Sequence, residues 1–288
     1  KNLFDKMSKT GVIENVRAKS IDAGVMNRYS YFSMNTEYIT KEKQYGSVKS
    51  ISVSSIGFVL TCFHDGVGYQ KTFAKVVESI VSSEAIQSYL KRLIKYKSRR
   101  INLIKINGRV MGIMENFHFY PDDKTINYYS ITNLIMPDVK GGLMASESVE
   151  DILAEKETGF VLSGLYSSSQ NNNDEYLIQL KEDESKRYKV TGNYYSKKME
   201  NMLITQYKIM HLDFVAMQFL LDPRFNNVKR LQFSEFQVTN PDRIQESSLS
   251  VTTKNPESAN LVYETSKVRM QIEVDKKGIA HVVLDNKG

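Results

Sequence analysis

The chain has 288 residues, 41% of them hydrophobic and 25% charged, with a net charge of +6 and one cysteine. That length buries one large core or two modest ones, and the balance is that of a globular chain rather than a disordered one. A single cysteine excludes an internal disulfide and a multi-cysteine zinc site, and the longest apolar run, near Ile56–Phe63, is too short to span a bilayer. Lys1–Thr10 is polar and basic, unlike a signal peptide, and a first residue other than Met fits a chain from which residues have been removed.

Charge is unevenly spread. Residues 1–144 hold 21 Lys/Arg against 12 Asp/Glu, and residues 145–288 hold 18 against 21. The excess concentrates in Lys91, Arg92, Lys95, Lys97, Arg99 and Arg100. Such a cluster binds phosphates, or forms the solvated face and cationic C-terminal end of a helix, or meets an acidic neighbour.

In chain order, Asn2–Lys19 opens with a short helical stretch, LFDKM, and Met26–Tyr45 reads as a strand or extended arm. Val48–Phe63 is rich in β-branched residues, a strand with a break at Ser54–Ser55. After the turn His64–Gly68 the period changes. Phe73, Val76, Val77 and Ile80 share one helical face, and Ala85, Ile86, Tyr89, Leu90, Leu93 and Ile94 share another, with a break at Ser82–Glu84. Three strands follow: Ile101–Ile106, Val110–Tyr120 and Ile126–Met136. Asn107–Gly108 joins the first two as a tight hairpin, and Pro121–Thr125 breaks the second. Pro137–Gly142 is the expected boundary between domains 1–140 and 141–288.

Beyond it, Ser146–Thr158 is acidic and helix-compatible, and Phe160–Leu165 and Glu175–Leu180 read as strands around a polar mobile loop, Ser167–Asp174. The spacing of Met199, Met202, Leu203, Met210, Phe214, Met217 and Leu221 predicts a helix ended by Pro223. Leu231–Val238, Leu249–Thr253, Val268–Val274 and Ile279–Leu284 predict strands. The fold class expected is α+β, mainly antiparallel β with a flanking helix, plus a second α+β domain.

Catalytic and cofactor motifs are missing. Neither a phosphate loop nor a dinucleotide-binding glycine turn occurs, and His64, His118, His211 and His281 lack metal-ligand spacing. Cys62 and His64 share a strand face without a third group, a pattern that fits a buried inert thiol. Asp122–Asp123 reads as an exposed turn. No enzyme activity, metal or cofactor is expected.

VKSISVSS (48–55), the helix around EAIQSYLKRLIKY (84–96), INLIKINGRVMGIMENFHFYPDD (101–123) and INYYSITNLIMPD (126–138) together resemble the strand–helix–hairpin–strand module of phage tail-tube and baseplate-hub proteins in contractile injection systems. The resemblance covers about a third of the chain, Val48–Val139. It implies a structural virion protein, assembled in the host cytoplasm, whose copies form a ring around a lumen for DNA and contact neighbouring tail or baseplate proteins. The long C-terminal half departs from a plain tube subunit and favours a hub or tube initiator. The resemblance further implies a tail-tube-like sandwich or barrel with interface positions at Ile101, Leu103, Ile113, Phe117, Phe119, Tyr128 and Ile131, and lumen-facing positions at Asn116, His118, Ser130 and Thr132. The rival readings are a soluble nucleic-acid-binding or regulatory protein using residues 91–100, and an enzyme with a dispersed site.

Overall fold

The computed structural model describes residues 12–284 except 56–57, 66–67, 94–95, 107, 138–142, 172, 206–207 and 277. It is an α+β fold dominated by antiparallel strands in three sheets. By their contacts the residues divide into two units. The first comprises Lys1–Lys95, Leu103–Met114 and Asn133–Ala145, and the second Tyr96–Asn102, Glu115–Thr132 and Ser146–Gly288. The predicted boundary at Pro137–Gly142 falls almost wholly outside the described residues, as does LFDKM.

In the first unit, β1 (Ile13–Met26), β2 (Tyr29–Thr40), β3 (Tyr45–Ser55) and β4 (Phe58–Asp65) form an antiparallel meander in sequence order. The segment read as a strand or extended arm, Met26–Tyr45, is mostly the strand β2, the second half of a hairpin. Its turn, Asn27–Arg28, takes φ of 44° and 73°, the positive pair that lets two residues connect twisted strands. Ser54–Ser55 does end β3. Helices α1 (Gln70–Ser82) and α2 (Glu84–Leu93) follow, broken where the Ser82–Glu84 signal lies. Phe73, Val77 and Val81, four residues apart, form the buried stripe of α1 and cluster with Ile51, Val53 and Tyr29. Leu60 and Cys62 of β4 pack against the same cluster.

Eight strands run as a second meander: β5 (Ser98–Ile106), β6 (Arg109–Phe119), β7 (Thr125–Pro137), β8 (Leu143–Glu155), β9 (Val161–Gln170), β10 (Asn173–Glu182), β11 (Tyr188–Tyr194) and β12 (Lys197–Thr205). Ser146–Thr158 is not helical: most of it is β8, where Ile152 and Ala154 alternate into the core opposite β9. Ser167–Asp174 is not a loop, because Ser167–Gln170 and Asn173–Asp174 pair across a turn in which Asn171 adopts φ of 52°. Met199–Leu221 is not one helix: its first part is β12, pairing with β11, with Met199 in the sheet core. Strand pairing overrides the helical spacing there.

Tyr188 locks this sheet's core. Its ring is fully buried, and its hydroxyl donates to the Val161 carbonyl at 2.6 Å and accepts from the Ile209 amide at 3.4 Å. Gly192, at φ of 131° beside a register shift, allows β11 to lie where a Cβ would sit 2.0 Å from the Leu177 carbonyl oxygen.

Helix α3 (Leu212–Leu221) is apolar around nearly its whole circumference and correspondingly buried. Phe214 joins the core of the eight-stranded sheet. Val215, Ala216, Phe219 and Leu220 join that of a five-stranded meander, β13 (Arg230–Phe236), β14 (Ile244–Lys254), β15 (Ser258–Glu264), β16 (Arg269–Asp275) and β17 (Gly278–Leu284). No cation lies in the last turn of α3, but Lys254 of β14 supplies one, its Nζ donating to the Phe219 carbonyl at 2.5 Å.

Candidate functional site

Two features stand out: strand edges that no other strand covers among the described residues, and a buried polar relay in the second unit. Edge strands carry unpaired backbone donors and acceptors and are normally blunted by charge, proline or a covering element. Strand β4 instead turns Val59, 72% exposed, and Phe63, 51% exposed, away from its own core. At the edge of the eight-stranded sheet β5 exposes Leu103 and Ile106, and at the edge of the five-stranded sheet β17 exposes Val282 and Val283. Val76 and Ile80 add exposed apolar surface on α1.

The relay begins at Ser98, whose Oγ lies 2.9 Å from His118 Nδ1. His118 Nε2 is 2.6 Å from Asp213 Oδ2, and Asp213 Oδ1 accepts from the Ile279 amide at 3.2 Å. Strands β5, β6 and β17 and helix α3 are thereby tied through side chains 1% (His118) and 2% (Asp213) exposed. Gly278, at φ of 105°, packs on the pair, since a Cβ there would sit 3.1 Å from both Asp213 Oδ1 and His118 Cε1. Burial opposes ionisation of Asp213, but the His118 hydrogen bond, the two histidines and the Ile279 amide prevail and hold its carboxyl below the usual range. Serine, histidine and aspartate in series invite comparison with a hydrolytic triad. Both catalytic partners are sealed in the core, however, and neither they nor Ser98 line the neighbouring cleft. The chemistry this geometry supports is structural.

That cleft, about 820 Å³, lies among Phe214, Met217, Gln218, Ile126, Tyr120 and Arg224. Lys97 and Lys156 sit 5.7 and 5.1 Å from the Tyr120 ring centroid. Its charges are mixed, with Asp222 holding Arg224 and Glu155 accepting from Thr158. Other candidates resolve plainly. Burial pushes the Cys62 thiol up, away from thiolate reactivity, and His64 packs on Phe73 at 5.3 Å. Asp122 is a turn residue, accepting from the Lys124 and Thr125 amides. Among the described residues, no cluster of three or more His, Cys, Asp or Glu is placed to hold a metal, and no helix is long and apolar enough to cross a membrane.

The predicted site residues scatter. Asn116, His118 and Ser130, expected to face a lumen, are buried: Ser130 Oγ donates to Asn116 Oδ1 at 2.9 Å, and His118 belongs to the relay. Thr132 is half-buried. Ile113, Phe117 and Tyr128 are core residues, because both faces of β6 are covered, while Ile101, Phe119 and Ile131 are half-buried and Leu103 is exposed. The basic cluster is partly neutralised within the chain. Arg99 pairs with Glu115 at 2.7 Å, both largely buried, and Arg100 pairs with Asp275. Lys97 is exposed beside Tyr120; Lys91 and Arg92 belong to α2, and Lys95 lies outside the described residues. Sequence reasoning missed Ser98, Asp213 and Gly278. Their only sequence signal is the DKKG turn, which places a glycine before Ile279 without indicating what it packs against.

No family model, curated protein or solved structure matches the chain.

Proposed function

We propose that the protein is a structural subunit that assembles through its strand edges into a ring or tube, as a phage tail-tube, tube-initiator or baseplate-hub component, with neighbouring tail proteins as partners. The observation that carries this reading is the exposed apolar edge of β4, which carries Val59 and Phe63 and whose outer side pairs with no other strand among the described residues. A second copy continuing the sheet would satisfy the backbone and cover the side chains at once. Closure into a ring removes the edge altogether, whereas an open stack leaves it at each end. The engagement of Arg99 and Arg100 inside the chain weighs against the rival nucleic-acid reading. Sedimentation velocity of the wild type and of a Val59→Lys, Phe63→Lys double variant tests the proposal. Concentration-dependent assembly lost in the folded variant supports it. Identical sedimentation of both, as monomers or as oligomers, refutes the role of this edge.

A further inference from the structure

His211 occupies two roles that exclude each other. It is the N-cap of α3, and its Nδ1 accepts from the Asp213 amide at 3.4 Å, which requires the neutral ring with its proton on Nε2. That Nε2 points at Glu150 Oε2 of β8 across 3.6 Å, close enough for attraction and too long for a hydrogen bond. An imidazolium has no acceptor. Charging the ring therefore breaks the cap and turns a poised contact into an ion pair.

We infer that His211 is a built-in proton switch: neutral, it caps α3, and charged, it releases the cap and binds Glu150 of the eight-stranded sheet. The surroundings are complete enough to give the sign. Carboxylates face the ring from three elements, Glu150 on β8, Asp213 on α3 and Glu235 on β13. Tyr128 of β7 lies over it, with centroids 4.7 Å apart. Burial, with the Asp213 charge second, pushes the Tyr128 hydroxyl well up, so it stays neutral. Phe214 covers the ring edge at 5.8 Å, and His118 lies beyond Asp213, already bonded to it. Glu235 is itself held by Ser247 and Tyr263 and stays in place as a fixed field. Burial disfavours the imidazolium, yet the Glu150 contact and the other carboxylates outweigh it, leaving His211 easier to protonate than an ordinary histidine. What the switch controls is the first turn of α3, which carries Phe214, and through it Met217 and Gln218 on the cleft wall.

The test is an imidazole ¹⁵N titration of the whole chain, combined with amide exchange at Asp213, for the wild type, His211→Asn and Glu150→Gln. Asparagine caps helices and does not titrate in this range. The expected results are a His211 midpoint above the ordinary value of about 6.5, and a protection factor at Asp213 that falls about fivefold below it, the worth of one cap. Glu150→Gln lowers the midpoint, and His211→Asn makes the protection independent of pH. A midpoint at or below the ordinary value, or an equal fall in protection in His211→Asn, overturns the inference.

Discussion

The two units use opposite means to define their structure. Among the described residues, the first buries hydroxyls such as Ser30, Ser33 and Thr36 but no charge, and leaves Val59, Phe63, Val76 and Ile80 outside. The second buries Glu115, His118, Asp213 and Glu235, each with a partner. A buried polar group tolerates few alternative packings, because each costs an unmet hydrogen bond. Buried, partnered charge therefore specifies the interior of the second unit, while that of the first relies on apolar packing and hydroxyls, and both leave apolar residues exposed on an edge strand, Val59 and Phe63 in the first and Val282 and Val283 in the second.

The largest effect expected from this contrast is at Arg99. Its replacement by alanine breaks the largely buried ion pair with Glu115, at a cost of about 3–5 kcal/mol by chemical denaturation; a change below about 1 kcal/mol, the range of a surface ion pair, would remove the distinction between the units. Gly278→Ala follows, combining a φ unsuited to L-residues with a Cβ pressed on the His118–Asp213 pair, at about 1–3 kcal/mol. Tyr188→Phe removes a hydroxyl that two backbone groups depend on and should cost a similar amount, about 1–3 kcal/mol. The relay also sets an acid limit. Since Asp213 is held below its unfolded value of about 3.9, its contribution is complete above that pH and lost as pH falls through the folded value. Asp213→Asn should flatten that part of an acid-stability curve. Val59→Lys with Phe63→Lys comes last in stability, within about 0.5 kcal/mol per site, although it has the largest expected effect on assembly.

Much of the first unit was legible because period and punctuation agree there. The β-branched run to Ser55 and the serines between α1 and α2 each mark a real element, whereas the face read for α1 is half right: Phe73 and Val77 are buried, but Val76 and Ile80 are exposed and Val81 takes their place. Misreadings occurred where pairing partners override local spacing. Met199 and Phe214 share a helical period only by coincidence, and the Ser167–Gln170 run looks like a linker until its register with β10 is known. The relay was illegible for a related reason. Ser98, His118, Asp213 and Gly278 span 180 residues, and nothing local distinguishes a histidine that will be buried against an aspartate from one on a surface. His118 was expected to face a lumen, but β6 is buried on both faces along Glu115–His118, so alternation there does not separate an exposed face from a core face.

The most direct test of the assembly proposal is electron microscopy of the purified protein across a concentration series. Rings or stacked tubes with a central lumen are expected to increase with concentration and to disappear in the Val59→Lys, Phe63→Lys variant. Compact monomers at every concentration would contradict it.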